Sequence, residues 1–364
     1  MPVNTSTGAL GADAAISAGG FEQAVTSALT ITPSGTYMYG LTSGIASIMG
    51  YRVIGPGFQL SPLILDSPAN SDELPLPNEY PQSIVIDPAS KYLYVIGSGA
   101  GPGTIHEFSI FPDSGKLKSI ATVSLQDYPG LGNGMIDPTG RFLFVPSSSE
   151  RLYAFQINPS NGTLTQTVGS PYLVGPIGSL DPITTSRLVN VAMNGNGSYL
   201  FVSACPQYTG DESCALFGYA VDATSGALSP VPGNPYAVDV YFDSGQFTIA
   251  PSSDFLYASV YSPITGSTID SFAIDPNSGS LTGTGTFTGP GASGTLAAPV
   301  IDPTGTFMYA YYQDTQSTPA TYAYYAFKLD SSTGILNPLP GSSIDIPQSI
   351  GKEDVMQTLI VRIP

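Results

Sequence analysis

The sequence predicts an all-β fold assembled from repeats, and three observations support this prediction. A strand, an Asp-Pro-Thr-Gly-like turn and an aromatic-rich strand follow one another six times along the 364 residues. Hydrophobic residues make up 42% of the chain and charged residues only 10%, so a large core can form. The 41 Gly and 33 Pro interrupt the chain every few residues, which is typical of strands joined by turns.

In most copies of the repeat, the second position of the first turn is a proline. Proline presets φ for the second residue of a type I turn, and the preceding Asp can cap the turn through its side chain. The average spacing between copies is 54 residues (270/5), which accommodates four short strands, the content of one propeller blade. The second position falls at Pro33, Pro88, Pro138, Gly195, Pro251 and Pro303.

A second turn follows each first one and reads Asp or Asn, small polar residues, Gly, one further residue and Leu. Its glycine is predicted to take the left-handed conformation that a longer hairpin loop needs. An alternating strand, such as residues 152–157, precedes each copy. The glycine falls at Gly162, Gly226, Gly279 and Gly334, and at Gly115 in a variant copy.

These repeats predict a single β-propeller domain over residues 1–364, because one unit cannot bury its own apolar faces and must stack on its neighbours. The chain ends carry a turn without a preceding strand (4–10) and a strand without a following turn (358–364), so 346–364 and 1–27 are predicted to pair as a closing blade. Seven blades is the favoured count, and six blades with a decorated closure is the alternative. The repeat units lie near 28–80, 81–130, 131–185, 186–243, 244–295 and 296–345.

The charge balance restricts the partners. The formal net charge is −17, from 27 Asp and Glu against 10 Lys and Arg, and no basic stripe is present. A nucleic-acid partner is therefore excluded, and an anionic membrane surface is disfavoured. No apolar run approaches the roughly 20 residues that span a bilayer.

The two cysteines indicate the compartment. Cys205 and Cys214 lie nine positions apart and flank a segment that is predicted to be a loop between two strands. We expect a disulfide there, which suits an oxidising compartment, so the chain is predicted to be extracytoplasmic: periplasmic, cell-surface or secreted. Two free thiols are the alternative. Two Cys and one His cannot fill a zinc shell.

The repeat motifs resemble those of the lactonase-type β-propellers, the group of 6-phosphogluconolactonase-like proteins and YVTN-repeat surface proteins. The resemblance rests on Ile-Asp-Pro-x-Gly-x-Phe-Leu, on Asp-x-x-Ser/Thr-Gly-x-Leu, and on the Gly-x-Pro-Tyr elements at 169–172 and 233–236. It covers nearly the whole chain and implies the fold, although fold alone does not transfer function. It also implies His, Arg and acidic side chains near the mouth of a central channel.

The sequence departs from that implied catalytic set. His106 is the only histidine and lies in a strand beside Glu107, where alternation points the two side chains to opposite faces. Arg141 and Arg151 begin strands, and Arg362 lies in the closing strand. No catalytic residues are therefore predicted. The glycine-rich segment 97–103 is followed by a strand rather than a helix, which favours a hairpin loop over a phosphate site.

The acidic pairs at 72–73, 211–212 and 353–354 are the candidate metal-binding residues. Their oxygen atoms could bind calcium, but none shows the dense ligand ladder of a calcium loop, so solvated loops are favoured. No cofactor and no metal site is predicted, and calcium is left open.

The sixth repeat is rich in tyrosine on two successive strands. Consecutive Tyr311 and Tyr312, then Tyr324 and Tyr325, place tyrosines on both faces, and these four residues are the predicted ligand-binding set. Packing between blades is the alternative interpretation.

From these observations the sequence favours an extracytoplasmic propeller acting as a non-catalytic binding, surface-interaction or structural protein. A protein or glycan surface partner and self-assembly are both left open. The alternatives are a lactonase-like hydrolase or isomerase acting at the central channel, and a subunit of an ordered extracellular assembly.

Overall fold

The structure, a computed structural model, is an all-β fold. In the described part of the chain every strand belongs to one of six antiparallel sheets, each with the meander order of a propeller blade, which confirms the predicted fold class. The described residues are 6–7, 26–42, 46–55, 59–65, 73–76, 79–99, 101–125, 131–175, 186–206, 214–237, 246–251, 254–262, 266–290, 294–314, 316–317, 320–339 and 344–345. The predicted closing blade, from 346–364 with 1–27, lies almost entirely outside these ranges.

The chain divides into two compact units. One unit combines Ile16–Leu173, Asp222–Ala227 and Val361–Pro364, and the other combines Met1–Ala15, Val174–Val221 and Leu228–Ile360. Blades 1 to 3 belong to the first of these units and blades 4 to 6 to the second.

The first unit contains three sheets in sequence order. Blade 1 comprises β1 (Thr26–Ile31), β2 (Tyr37–Thr42), β3 (Ser47–Ile54), β4 (Gln59–Pro62) and β5 (Glu73–Pro75). Blade 2 comprises β6 (Glu79–Ile86), β7 (Tyr92–Gly99), β8 (Gly103–Ile110) and β9 (Leu117–Ser124). Blade 3 comprises β10 (Met135–Ile136), β11 (Phe142–Pro146), β12 (Arg151–Ile157), β13 (Leu164–Gln166) and β14 (Tyr172–Leu173).

The second unit also contains three sheets. Blade 4 comprises β15 (Ser186–Met193), β16 (Tyr199–Pro206), β17 (Ala215–Val221), β18 (Leu228–Pro230) and β19 (Tyr236–Ala237). Blade 5 comprises β20 (Phe247–Ile249), β21 (Phe255–Ser262), β22 (Gly266–Ile274) and β23 (Leu281–Thr288). Blade 6 comprises β24 (Thr295–Ile301), β25 (Phe307–Asp314), β26 (Thr321–Leu329), β27 (Leu336–Pro338) and β28 (Ile344–Asp345).

The first turn of the repeat forms because its first side chain caps the following strand. The amide of Gly140 donates to the Asp137 carbonyl (2.8 Å), as in a β-turn, and Asp137 Oδ1 accepts from the amide of Phe142 at 2.6 Å. In blade 1 Thr32 Oγ1 takes this role and accepts from Tyr37 N at 3.0 Å. The acceptor can therefore be a hydroxyl as well as a carboxylate, and blade 5 forms this turn with Ala250, which has no side-chain acceptor.

The second turn joins neighbouring blades. Each of its glycines has the predicted positive φ, and each lies against the first aromatic ring of the preceding blade's second strand, so that an added Cβ would come within 3.0 Å of a ring carbon. This contact stacks the repeats on one another, since any side chain at the glycine would displace the ring. The pairs are Tyr37 with Gly115, Tyr92 with Gly162, Phe142 with Gly226, Tyr199 with Gly279, and Phe255 with Gly334.

The first strands of successive blades lie beside one another within each unit, β1 against β6, and β15 and β24 against β20. In blades 1, 2, 4 and 6 the pairing of this strand shows a register irregularity, for example between Leu188 and Asn190. Such bulges re-aim side chains and are frequent beside functional sites.

Two further predictions concern the surroundings of the protein. A disulfide joins Cys205 at the end of blade 4's second strand to Cys214 before its third, so the predicted bridge is present. In the ranges described above, no helix is long and apolar enough to cross a membrane.

Candidate functional site

The histidine and its acidic neighbour lie apart in blade 2, as strand alternation predicts. His106 Nδ1 is 3.1 Å from Thr122 Oγ1 on the neighbouring strand. Glu107 points to the other face, where its Oε1 accepts from the amide of Leu164 in blade 3 at 3.2 Å. The two side chains therefore cannot act together as a base and its orienting acid.

Arg141 and Arg151, two of the arginines weighed as part of the implied set, lie at opposite ends of the β11–β12 hairpin. The Arg141 guanidinium donates to Thr139 Oγ1 at 2.7 Å and to the Ala223 carbonyl, so its fork is used to hold turns together. Arg151 is exposed at the start of β12. Arg362 lies outside the described residues.

The four predicted tyrosines form two cross-strand pairs on opposite faces of blade 6. Tyr311 pairs with Tyr324, with ring centroids 5.7 Å apart, on one face of the sheet. Tyr312 and Tyr325, also with centroids 5.7 Å apart, occupy the other face. Tyr312 packs into an apolar cluster that includes residues of blade 5, so the inter-blade packing interpretation describes this residue.

Tyr312 is nevertheless in a polar setting near the C-terminal end of β25. Burial raises the pKa of its phenol, and the nearby Asp314 and Tyr325 raise it further, so the hydroxyl stays protonated and can donate a hydrogen bond. The phenol lies directly against Gly294, where an added Cβ would overlap it. Gly294 therefore leaves the space that the Tyr312 hydroxyl occupies.

Asp314 ends the same strand, two residues after Tyr312, and is therefore on the same face. Its side chain is only 8% exposed. Oδ1 accepts from the amides of Gln316 (2.9 Å) and Ser317 (3.0 Å). These two donors orient a mostly enclosed carboxylate beside a phenol.

Blade 5 contributes neutral polar groups on the face that turns toward blade 6. Gln246 lies opposite Ser259, whose amide donates to the Gln246 carbonyl at 3.1 Å. Ser259 is also opposite Ile269, and Ile269 shares an apolar cluster with Leu296 and Tyr312 of blade 6. Directly opposed residues share a face, so the Gln246 and Ser259 side chains point toward blade 6.

A hydrogen bond between the blades closes this arrangement. Ser267, two residues from Ile269 on the same face, accepts at Oγ from the amide of Leu296 at 2.7 Å. Leu296 in turn lies opposite Tyr312. We call Gln246, Ser259, Ser267, Tyr312 and Asp314 the blade 5–6 cluster.

The blade 5–6 cluster combines one carboxylate, one neutral phenol, two hydroxyls and one amide, and none of its members is cationic. Such a set can accept a proton, donate hydrogen bonds to a carbonyl oxygen and bind hydroxyl groups. Among the described residues, no group of three or more His, Cys, Asp or Glu could hold a metal ion. Of the acidic pairs weighed for calcium, only Glu73 lies in the described residues.

The predicted ligand-binding set contains Tyr312 of this cluster, whereas sequence reasoning did not single out Gln246, Ser259, Ser267 or Asp314. A signal was present: a side-chain amide lies four residues before the first turn residue in blades 3, 4 and 5, at Asn133, Asn190 and Gln246. A polar side chain that recurs at one position before the first turn indicates a face of the sheet that is not part of the apolar core.

The fold recurs in solved structures. A protein from Bacteroides uniformis ATCC 8492, named as a candidate 6-phosphogluconolactonase, shares it with a TM-score of 0.65 at 18% identity, over 94% of this chain and 91% of its own. The periplasmic gluconolactonase PpgL of Pseudomonas aeruginosa matches with a TM-score of 0.63 at 15% identity, over 87% and 86%. The Cps50 (Swd1) β-propeller domain of Myceliophteria thermophila matches with a TM-score of 0.55 at 10% identity, over 88% and 87%. No protein-family model and no curated protein matches the sequence.

These likenesses show that the chain has a β-propeller fold, and the neighbours with this fold include proteins named as lactonases, the group that the repeat motifs resemble. The expectation of a non-catalytic binding, surface-interaction or structural role is contradicted, because the neighbours named above include lactonases and favour the alternative that was ranked second. The error has a physical reason. The prediction took the absence of a His and Arg cluster to mean that the protein is not an enzyme. A carboxylate and a phenol can also catalyse ester hydrolysis.

Proposed function

We propose that this protein is a lactone hydrolase that opens a small cyclic ester at the blade 5–6 cluster. The observation that carries the proposal is the fold shared with the gluconolactonase of Pseudomonas aeruginosa over 87% of this chain. The cluster supports it, since an oriented carboxylate and a protonated phenol lie on one face at the C-terminal end of β25.

In the proposed reaction, the Asp314 carboxylate accepts a proton from water while the water oxygen attacks the lactone carbonyl carbon. The Tyr312 hydroxyl donates a hydrogen bond to the carbonyl oxygen as negative charge develops there. The bond between the carbonyl carbon and the ring oxygen then breaks, and the ring oxygen takes up the proton held by Asp314. The product is the open hydroxy acid, and the carboxylate is regenerated.

The charge distribution supports an unphosphorylated substrate. A phosphorylated lactone brings about two negative charges, which are normally held by Arg or Lys. The blade 5–6 cluster contributes none, and the whole chain carries a net charge of −17. We therefore expect a neutral sugar lactone to be hydrolysed in preference to its phosphate ester.

An extracytoplasmic location is part of the proposal. The Cys205–Cys214 disulfide supports it, since such bonds persist in oxidising compartments. The PpgL structure, named as periplasmic, agrees with this location.

The test is the hydrolysis rate of glucono-1,5-lactone and of its 6-phosphate, each corrected for spontaneous opening in the same buffer. We expect turnover of the neutral lactone, and a kcat lowered by about 10²-fold or more in Asp314→Asn because the general base is lost. Tyr312→Phe should lower kcat by about tenfold or more, through loss of one donor to the developing charge.

Tyr311→Phe is the matched control, because Tyr311 is the neighbouring tyrosine on the opposite face of the same strand. It should leave kcat within about twofold of wild type. No hydrolysis above the spontaneous rate with either lactone overturns the proposal, and equal losses in Tyr311→Phe and Tyr312→Phe overturn the role given to Tyr312.

A further inference from the structure

Blades 4 and 5 carry the same amide–serine pair at the same place in the repeat. Asn190 lies opposite Ser203 in blade 4, and Gln246 lies opposite Ser259 in blade 5. Each amide residue lies four positions before the first residue of its turn, Asn194 and Ala250 respectively. The two pairs occupy equivalent backbone positions, so their side-chain hydrogen bonds can be compared directly.

The blade 4 pair is closed by hydrogen bonds within the chain. Asn190 Nδ2 donates to the carbonyl of Phe247 on β20, the first strand of the next blade, at 2.9 Å. Ser203 Oγ accepts from the amide of Asn190 at 3.1 Å, and Ser203 is 0% exposed. Both side chains therefore have a structural use.

The blade 5 pair is open. Gln246 Oε1 and Ser259 Oγ are both buried atoms without a hydrogen-bond partner among the described residues. Ser259 is 4% exposed. Leaving a buried polar group without a partner destabilises the fold, and here two such groups lie directly opposite each other.

The backbone of blade 6 explains why the closed arrangement is not repeated. Phe247, whose carbonyl receives Asn190, lies three residues before its turn, and the corresponding residue of blade 6 is Pro299. The pairing of β24 is irregular between Ala297 and Val300, so the regular strand is interrupted there. In addition, the Leu296 amide is already bonded to Ser267.

We infer that Gln246 and Ser259 form a subsite for one hydroxyl group of a neutral, polyhydroxylated ligand, and this inference rests on the proposed lactone hydrolase function. A ligand hydroxyl can donate to Gln246 Oε1 and at the same time accept from Ser259 Oγ. This subsite selects lactones by their hydroxyl groups, whereas Asp314 and Tyr312 act on the ester itself. A phosphate dianion offers no hydrogen-bond donor to Gln246. The blade 5–6 cluster also contains no cationic side chain that could hold it.

The test compares glucono-1,5-lactone with δ-valerolactone, an ester of the same ring size without hydroxyl groups. In Ser259→Ala and Gln246→Ala we expect KM for gluconolactone to rise about tenfold, the equivalent of 1.4 kcal/mol. KM for δ-valerolactone, which has no hydroxyl group for the subsite, should change far less. The melting temperature of Ser259→Ala should not fall, because the substitution removes an unpaired buried hydroxyl. Binding of gluconate, the open product, is measured by calorimetry on the same proteins and should weaken by a similar factor.

Ser203→Ala is the matched control, because Ser203 occupies the same position in the closed pair. It should lower the melting temperature and leave both KM values unchanged. If Ser259→Ala instead lowers the melting temperature as Ser203→Ala does and leaves KM unchanged, the pair holds an internal water molecule and the subsite is refuted.

The remaining outcomes separate the subsite from the reaction. Hydrolysis of both lactones by wild type, with the same KM values in Ser259→Ala, overturns the subsite and leaves the hydrolase proposal intact. Gluconate binding that weakens in Ser259→Ala, in a protein that hydrolyses no lactone, supports the subsite and overturns the hydrolase. Absence of both turnover and gluconate binding overturns both.

Discussion

Blades 2 and 5 are built in the same way, as four-stranded sheets whose fourth strands, β9 and β23, each run for eight residues. Their second strands carry a fully buried tyrosine at the same repeat position, Tyr94 and Tyr257. Opposite these rings on the third strand lie Glu107 in blade 2 and Ser271 in blade 5. The other four blades have only small residues there, Gly50, Ala154, Gly218 and Ala326.

The third-strand position opposite the buried tyrosine therefore holds an acidic side chain in blade 2 and a neutral one in blade 5. Glu107 is 1% exposed, and its Oε1 accepts from the amide of Leu164 in the next blade. In the other unit, the corresponding amide, that of Leu281, is bonded to the phenol of Tyr236. Blade 2 has no Gly-x-Pro-Tyr element to supply such a phenol, so a carboxyl takes its place. Blade 2 thereby encloses a titrating group, whereas blade 5 carries the neutral Ser271 at the same position.

The largest expected effect tests what the two blades share. Gly162 and Gly334 have φ of 76° and 72°, and each lies against the first aromatic ring of blade 2 or blade 5. Gly162→Ala and Gly334→Ala should each lower the free energy of unfolding by about 3 kcal/mol. Left-handed backbone costs an L-residue roughly 1–2 kcal/mol, and the overlap with the ring adds to this. Urea unfolding measures both.

Gly283→Ala is the control for this pair. An added Cβ at Gly283 in blade 5 meets nothing within 4 Å. Its stability should stay within about 0.5 kcal/mol of wild type, as for other surface substitutions. A large loss in Gly162→Ala with none in Gly334→Ala would mean that the two blades do not share the stacking contact.

A smaller effect concerns the tyrosine of blade 2. The Tyr94 hydroxyl donates to the carbonyl of Gly162 at 2.8 Å in a buried environment. Tyr94→Phe leaves that carbonyl without its donor, so we expect a loss of about 1–2 kcal/mol in urea unfolding. An unchanged midpoint would show that this bond between blades 2 and 3 adds nothing to stability.

The strands and turns were predictable because their chemistry is local. Asp137 caps an amide only five residues away, and the glycine of the second turn closes a loop within its own segment. Strand alternation also predicted correctly that His106 and Glu107 point apart. All of this follows from residues that are neighbours in sequence.

The candidate site was not predictable in the same way. Gln246 and Ser259 are thirteen positions apart and meet only through the strand register, and their face is defined by blade 6. The enclosure of Glu107 likewise depends on Leu164, 57 positions away. The sequence showed where polar residues recur, but register and stacking decide which of them come together.

The smallest effect sharpens the comparison between blades 2 and 5, because it depends on a single proton. Burial raises the pKa of Glu107, and this outweighs the lowering by the Leu164 amide. A raised pKa in the folded state means that the native protein binds the proton more tightly than the unfolded chain. The stabilisation is complete below about pH 4.3 and is lost as the pH rises through the raised pKa.

Glu107→Gln keeps an oxygen acceptor for Leu164 and removes the titration. Its free energy of unfolding should match that of wild type near pH 4 and exceed it at pH 8, where wild type holds an enclosed carboxylate. Asp113→Asn removes an exposed carboxylate from the same blade and controls for the change in net charge. If wild type and Glu107→Gln give parallel curves from pH 4 to 8, the Glu107 proton does not contribute to stability. The difference between blade 2 and blade 5 would then be one of packing alone.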